Sequence, residues 1–304
     1  MAEPIPVHES NLTSLAGKTV LITGASSGIG LATAELFYNS LDANVVFVGG
    51  RKSPDTAIPL TDNPRTLLLH CDISSWDAQL AVFKAALAKF GHIDVVVANA
   101  GCDEPRNQYF GLRKDETGDP LPLDLRVLDV DLKGTSYTVA LGMHYLLKEN
   151  GGRGGSIVLI SSMAGYHGVP ELPNYTAAKH AATGLLRSLP AIATSKGIAV
   201  SLVAPHLTWT PGCFLQMWKP GREAFLIARS KFRSAGTGLS SAHTCGRAVA
   251  YLVEGGLKSG GVGLMVENDE INNLEGELHA ARPAWFVKKE DNRNAAAVYR
   301  DLRV

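Results

Sequence analysis

One stretch near the N-terminus constrains the fold more than any other. The β-branched run Thr19-Val20-Leu21-Ile22-Thr23 passes straight into Gly24-Ala25-Ser26-Ser27-Gly28-Ile29-Gly30. Ile29, Ala32, Leu36 and Phe37 then recur at helical spacing. This order specifies a strand, a glycine turn and a helix. Gly24 permits the tight turn, Gly28 lets backbone approach a pyrophosphate, and Gly30 lets helix and strand pack closely. The helix start would hold phosphates through its free N–H groups and its dipole.

The alternation continues along the chain. Val45–Val48, Thr66–His70, Ile93–Ala98, Ser156–Ile160, Ile198–Val203 and Val262–Val266 are short apolar runs that read as strands. Helical patterns lie between them: Leu80, Phe83, Leu87 and Phe90, then 123–148, 173–195 and 241–253. Continuous apolar runs, rather than alternating ones, belong to a parallel sheet covered on both faces. The expected fold is α/β, a doubly wound parallel sheet of Rossmann type in three αβα layers. It forms a single domain over 17–270. Residues 1–16 are a surface arm with Pro4 and Pro6, 102–122 an inserted loop, 205–239 an excursion rich in Pro, Gly and aromatics, and 271–304 a C-terminal tail.

Charge excludes several classes. Lys+Arg and Asp+Glu both number 29, so the formal net charge is zero, which argues against a nucleic-acid binder. The 4 cysteines have no CxxC spacing and read as reduced thiols of a cytoplasmic protein. The N-terminus has no basic and apolar leader, and no apolar run approaches the ~20 residues a membrane span needs. The 9 histidines include no HExxH or Cys/His ligand spacing, so no metal is expected. No GxSxG elbow marks a hydrolase serine.

Four ordered motifs resemble the classical short-chain dehydrogenase/reductase family over about residues 17–270. Thr23–Gly30 matches its TGxxxGxG, and Cys71-Asp72-Ile73 its aspartate–aliphatic element beside adenine. Ala98-Asn99-Ala100-Gly101 is similar to its NNAG element, and Tyr175-Thr176-Ala177-Ala178-Lys179 to its YxxxK motif, with Ser162 ahead of it. The stretch Glu149–Arg187 looks most like the 15-hydroxyprostaglandin dehydrogenase branch. The resemblance implies cofactor binding by Thr23, Gly24, Ser26, Ser27, Gly28, Ile29, Gly30, Asp72, Ile73, Asn99, Ala100, Gly101, Tyr175, Lys179, Pro205 and Thr210. An acid at the end of the second strand would hydrogen-bond a ribose 2′-hydroxyl and repel a 2′-phosphate. Here Val48-Gly49-Gly50-Arg51-Lys52 offers none, and Arg51 and Lys52 could neutralise that phosphate, so NADP(H) is preferred over NAD(H). The opposing reading makes them ordinary solvated charges.

Tyr175 and Lys179 are i,i+4 on a helix and share a face. A free phenol titrates near 10, too high for a base at neutral pH. A lysine ammonium beside it favours phenolate. Tyr175 would then exchange a proton with a substrate oxygen while hydride moves, and Ser162 would hydrogen-bond that oxygen. Two positions depart from the family. Asp131 replaces the asparagine that completes a proton relay. Either the relay's water is held by backbone and Asp131 is merely tolerated, or its carboxylate turns inward and favours a charged Lys179. His206 replaces a glycine after the sixth strand; it is a substrate contact, an extra acid/base, or a loop histidine with a backbone partner.

His167, on the loop between Ser162 and Tyr175, is a second candidate substrate contact. Trp209, Phe214, Met217, Trp218 and Phe225 fill the excursion. They suggest a bulky, hydrophobic alcohol or ketone, unless they pack the excursion onto its own domain. The helices at 123–148 and 173–195, with small Ala177, Ala178, Ala181 and Ala182, suggest a homodimer or homotetramer. The expected activity is that of an NADP(H)-dependent carbonyl reductase or alcohol dehydrogenase. A redox-neutral cyclisation or isomerisation at a site altered by Asp131 and His206 is the alternative, and a non-catalytic cofactor-binding protein a third.

Overall fold

The apolar runs become strands, and all but the edge run Thr66–His70 are largely buried on both faces, which suits the Val and Ile residues that dominate them. A computed structural model describes residues 3–50, 53–214 and 221–281. Its strands are β1 (Thr19–Thr23), β2 (Asn44–Gly49), β3 (Thr66–His70), β4 (Val95–Ala98), β5 (Gly155–Ile160) and β6 (Ile198–Pro205). The excursion then adds β7 (Thr208–Trp209) and β8 (Ser240–Ser241), and β9 (Gly263–Glu267) and β10 (Glu270–Asn273) follow. The helices are α1 (Gly28–Asn39), α2 (Trp76–Phe90), α3 (Thr135–Leu146), α4 (Pro173–Ser188), α5 (Pro190–Ala193), α6 (Arg222–Ser234), α7 (Ala242–Glu254) and α8 (Leu274–Ala281).

The main sheet runs β10-β9-β6-β5-β4-β1-β2-β3, parallel except for the β9–β10 pair. Strand order reverses at β1 and β4, which leaves a crevice beyond their C-terminal ends. One face packs under α1 and α7 around Phe37, Phe47 and Val249, and the other under α2, α3 and α4 around Phe83, Leu146 and Leu186.

Four details differ from the sequence expectation. The helix expected from 123 begins at 126, and Leu128–Gly134 is wound as π-helix before α3. The helix expected over 173–195 stops at Ser188 and restarts, because Pro190 has no N–H to continue it. The sheet crosses the expected boundary at 270: β10 folds back on β9 through Asn268-Asp269, whose φ values of 52 and 61 suit a tight hairpin. The described part of the arm, 3–16, is tied down. Val7, Leu12 and Leu15 are buried against the core, and the Ile5 N–H donates to Ile271 O at 2.7 Å. Arg51, Lys52, Met217 and Trp218 lie outside the described residues. No helix among the described residues is long and apolar enough to cross a membrane.

Candidate active site

The turn after β1 is shaped by what its glycines lack. Gly24 and Gly28 have φ of 69 and 58, which favours glycine. A Cβ on Gly24 would sit 2.8 Å from Asn99 Nδ2, and one on Gly30 would run into the Gly24 carbonyl and Asn99. Ser27 starts α1 without capping it through its hydroxyl, so the first-turn amides are left for an outside acceptor. An uncapped helix start, a cradle with no room for side chains and the crevice beside it together fit a dinucleotide pyrophosphate.

Thr23 and Asn99 build that cradle. Thr23 Oγ1 accepts the N–H groups of Asn99 at 3.0 Å and Ala100 at 3.1 Å, and Asn99 Nδ2 donates to Thr23 O at 2.8 Å. They staple the ends of β1 and β4 together. Asp72 Oδ1 accepts the N–H and hydroxyl of Ser74, and the hydroxyl bond above all holds its carboxyl below the ordinary aspartate range. Ile73 is buried, its Cδ1 2.9 Å from where a Cβ on Gly134 would stand.

The catalytic corner is built from charge. Lys179 Nζ lies 5.4 Å from the Tyr175 ring centroid and 3.0 Å from Asp131 Oδ2. The ion pair is buried, with side-chain exposures of 8% for Lys179 and 0% for Asp131. Asp131 sits in the π-helical turns, its Oδ1 accepts the Cys102 N–H at 2.8 Å, and a side chain on Gly101 would collide with its Oδ2. The carboxylate therefore points inward, the second of the two readings. Burial works against the Lys179 charge, but Asp131 and then Tyr175 outweigh it and hold the ammonium above the ordinary lysine range. Ser162 ends the strand side of the corner: its Oγ accepts the Ala164 N–H at 3.1 Å. The neighbouring Ser161 hydroxyl donates to Lys179 O at 3.0 Å and joins β5 to α4.

The sequence reading missed Glu104. This carboxylate, 5% exposed, accepts the Tyr175 N–H at 2.7 Å and Asn174 Nδ2 at 2.8 Å. It supplies the cap that α4 lacks, since Leu172 has no side-chain oxygen and Pro173 no N–H. A helix opening on Leu-Pro-Asn without a capping residue is the one sequence signal of an acid brought from elsewhere. The Tyr109 hydroxyl donates to Asn174 Oδ1 at 3.0 Å, so the inserted loop is fastened to the start of the catalytic helix.

On the side of the 205–239 excursion (the lid), β6 ends at Pro205 and buried Thr210 packs its methyl 3.4 Å from the Cβ position of Gly28. His206 turns toward the end of β9, with Nδ1 3.1 Å from Glu267 Oε1 and its N–H bonded to Val266 O. His167 is exposed, with a ring nitrogen on the adjacent Gly168 carbonyl. Trp209 corrects the expectation of a substrate contact. It is 6% exposed and packs with Ala228, Leu239 and Phe214, so its ring forms the lid's own core. Of the four alanines on α4, Ala178 and Ala182 are buried within the chain. Among the described residues no group of three His, Cys, Asp or Glu side chains could hold a metal ion.

Comparison with known proteins agrees with this fold. A family model described as short chain dehydrogenase matches residues 18–213. A short-chain dehydrogenase/reductase of Penicillium rubens is 32% identical over 93% of this chain and 84% of its own. The 15-hydroxyprostaglandin dehydrogenase [NAD(+)] of Mus musculus is 30% identical over 64% of this chain and 69% of its own. Among solved structures, a 3-ketoacyl-(acyl-carrier-protein) reductase from Brucella melitensis complexed with NADH superposes with a TM-score of 0.67 at 26% identity, covering 84% of this chain and 98% of that one.

Proposed function

This chain belongs to the short-chain dehydrogenase/reductase family, oxidoreductases of alcohols and ketones, and from that premise we propose that it moves hydride between NADP(H) and a bulky, hydrophobic secondary alcohol or its ketone. Tyr175 is the general acid and base. The observation that carries the reading is the juxtaposition of Tyr175 and a charged, buried Lys179 on one face of α4, joined to the strand end that bears Ser162.

The nicotinamide, when bound, supplies the hydride acceptor or donor. The amides after Gly24, Gly28 and Gly30 would hold the pyrophosphate, Asp72 and Ile73 would flank adenine, and Thr210 and Pro205 would border the nicotinamide end. In reduction Tyr175 gives its phenolic proton to the carbonyl oxygen, and in oxidation it takes a proton from the alcohol. Ser162 orients that oxygen by a hydrogen bond, and Lys179 fixes the charge beside the phenol. The preference for NADP(H) is supported by Gly49 and Gly50 at the end of β2, where no acid stands to repel a 2′-phosphate. It departs from the NAD(+) and NADH in the names of the two relatives above. The apolar substrate is supported by the inserted loop, where Phe110 is 92% exposed next to Tyr109 and so close to the start of α4. Asp131 does not favour a redox-neutral reaction, since it keeps Lys179 charged, and His206 turns toward the end of β9, with Nδ1 3.1 Å from Glu267 Oε1. Exposed Ala177 and half-buried Ala181 on α4 are the residues through which a homodimer or homotetramer would form; light scattering tests it.

The test is to measure NADPH and NADH binding and then turnover of hydrophobic ketones and alcohols. Tyr175→Phe should bind cofactor as before and lose turnover by at least a hundredfold; turnover indifferent to this change would sink the reading. Arg51→Ala should weaken NADPH about tenfold and leave NADH unmoved. Equal behaviour of both would remove the NADP(H) assignment.

A further inference from the structure

The pairing of Asp131 with Lys179 has a consequence for which direction of reaction the site serves. A lysine ammonium alone beside a phenol favours phenolate. Here the ammonium has a full counter-charge 3.0 Å away, both groups are buried, and the carboxylate is locked in place by the Cys102 N–H, by Gly101 and by the π-helical turns that carry it. Viewed from Tyr175, a nearby positive charge has become a dipole, whose field falls off much faster. Resting on the reading above, we propose that Asp131 is a positioning residue that acts through Lys179, cancelling most of its field at the Tyr175 hydroxyl, so that at neutral pH the site is set to give a proton to a carbonyl oxygen rather than to take one from an alcohol. In that step hydride passes from the reduced nicotinamide to the carbonyl carbon, the C=O π pair goes to oxygen, and the phenolic proton of Tyr175 follows it.

The groups that face the pair allow a clean test. Among the described residues they are Tyr175 from α4 and Cys102 and Asp103 from the loop after β4, with Glu104 on the Tyr175 backbone and Arg126 acting on the Cys102 thiol. Burial and then Asp131 push the Cys102 thiol up to about 12, which keeps it neutral throughout the assay range. Burial first and Asp131 second raise Asp103 from the ordinary aspartate value. Asp103 is unsubstituted in every variant compared, and because neutralising Asp131 also lowers its titration, the phenolate absorbance of Tyr175 separates the two groups.

The experiment follows kcat/KM against pH for the best-turned alcohol and ketone of the panel, in wild type, Asp131→Asn and Asp131→Ser. One uncancelled charge at roughly 6 Å, at an effective dielectric of about 20, moves a titration by about 1 to 2 pH units. Both neutral variants should therefore shift the acid limb of alcohol oxidation down by about 1 unit, and raise oxidation near neutral pH by up to about tenfold. The alkaline fall of ketone reduction should move down by the same amount. The phenolate absorbance of the cofactor-free protein, with Tyr175→Phe subtracted, should move in parallel; it reads the same event without turnover. Using two neutral side chains of different shape separates charge from packing, and either can stand in if the other does not fold. A limb that stays in place, moves to alkaline pH or moves in only one folded variant overturns the proposal, as does a folded variant that is inactive in both directions. Turnover in Tyr175→Phe that stays near the wild-type rate would instead overturn the reading on which the proposal rests.

Discussion

Around Gly24–Gly30 recognition is done by backbone, whereas around Tyr175 it is done by side-chain charge. Among the described residues the cradle holds no ionised side chain of its own: Thr23 and Asn99 fix its shape, and its glycines leave space and amides. The catalytic corner holds Lys179, Asp131 and Glu104, all buried and all partnered across different elements. A backbone site tolerates many chain neighbours but no Cβ. A charge site tolerates changes of shape but no change of ionic balance. The two regions should therefore fail differently.

The sharpest break is at Asp131. Asparagine there leaves Lys179 buried without a counter-charge, and loss of one partner of such a pair costs about 3–5 kcal/mol. The pH dependence identifies the cause. In wild type the Lys179 ammonium is held above its unfolded value, so its contribution is fully present below about 10.5 and lost as pH rises through the folded value. In Asp131→Asn only Tyr175 and Cys102 oppose burial, so Lys179 keeps its charge at neutral pH at a cost in stability that grows as pH falls below about 10.5. Denaturant titrations should show the gap widest near pH 6 to 7, narrowing as pH approaches about 10.5 and closing only above the raised wild-type value. A gap independent of pH would mean the loss is packing, not charge.

Gly30→Ala should break the other region in the opposite way. The new methyl would be driven into the Gly24 carbonyl and Asn99, which are fixed by β1 and β4. Overpacking of this kind costs up to about 3 kcal/mol, and cofactor affinity should fall at least tenfold at every pH, read by fluorescence titration. Binding that recovers with pH would contradict a purely steric cause.

The same contrast explains what the sequence made legible. Strands, the glycine turn and the positions of Ser162, Tyr175 and Lys179 are local patterns, and a chain states them in order. Glu104 and the inward carboxylate of Asp131 are not local. Glu104 is 71 residues from the N–H it caps, and the direction of Asp131 depends on π-helical turns that no side-chain periodicity announces. Trp209 failed for a related reason: an aromatic in a lid reads alike whether it faces a ligand or, as here, the lid's own Leu239 and Ala228. The sheet's extension past 270 was hidden by a polar strand, Glu270-Ile271-Asn272-Asn273, with one buried side chain.

Glu104→Ala sharpens the comparison at intermediate size. It leaves the Tyr175 N–H and the buried Asn174 amide without their acceptor, at about 2 kcal/mol. Because the lost cap lies at the start of α4, kcat should fall about tenfold while cofactor affinity holds, since the cradle is on another helix. Equal losses in both would show that the two regions are not independent.

The smallest expected effect lies where the lid meets the body. Arg229 of α6 pairs with Asp269 at 2.9 Å and donates to Asn268 O at 3.0 Å, on the hairpin turn between β9 and β10. Asp269 has other duties: its Oδ1 accepts the Ser241 N–H at 2.7 Å and the Thr244 hydroxyl at 2.8 Å at the start of α7. Removing the guanidinium thus leaves the carboxylate bonded and the body intact, while α6 keeps only its apolar contacts through Phe225, Ala228 and Phe232. Arg229 is 30% exposed, and solvent screening holds the pair to about 1 kcal/mol or less. That is too little to move global unfolding, but it acts on a local equilibrium in which the lid's few contacts compete with its freedom. Arg229→Ala should leave the melting temperature and kcat unchanged, raise KM by about threefold to fivefold, and speed proteolysis within α6 by a similar factor. If KM and proteolysis both stay at wild-type values, α6 is held by its apolar face alone, and the lid belongs with the packed body and not with the charge-built corner.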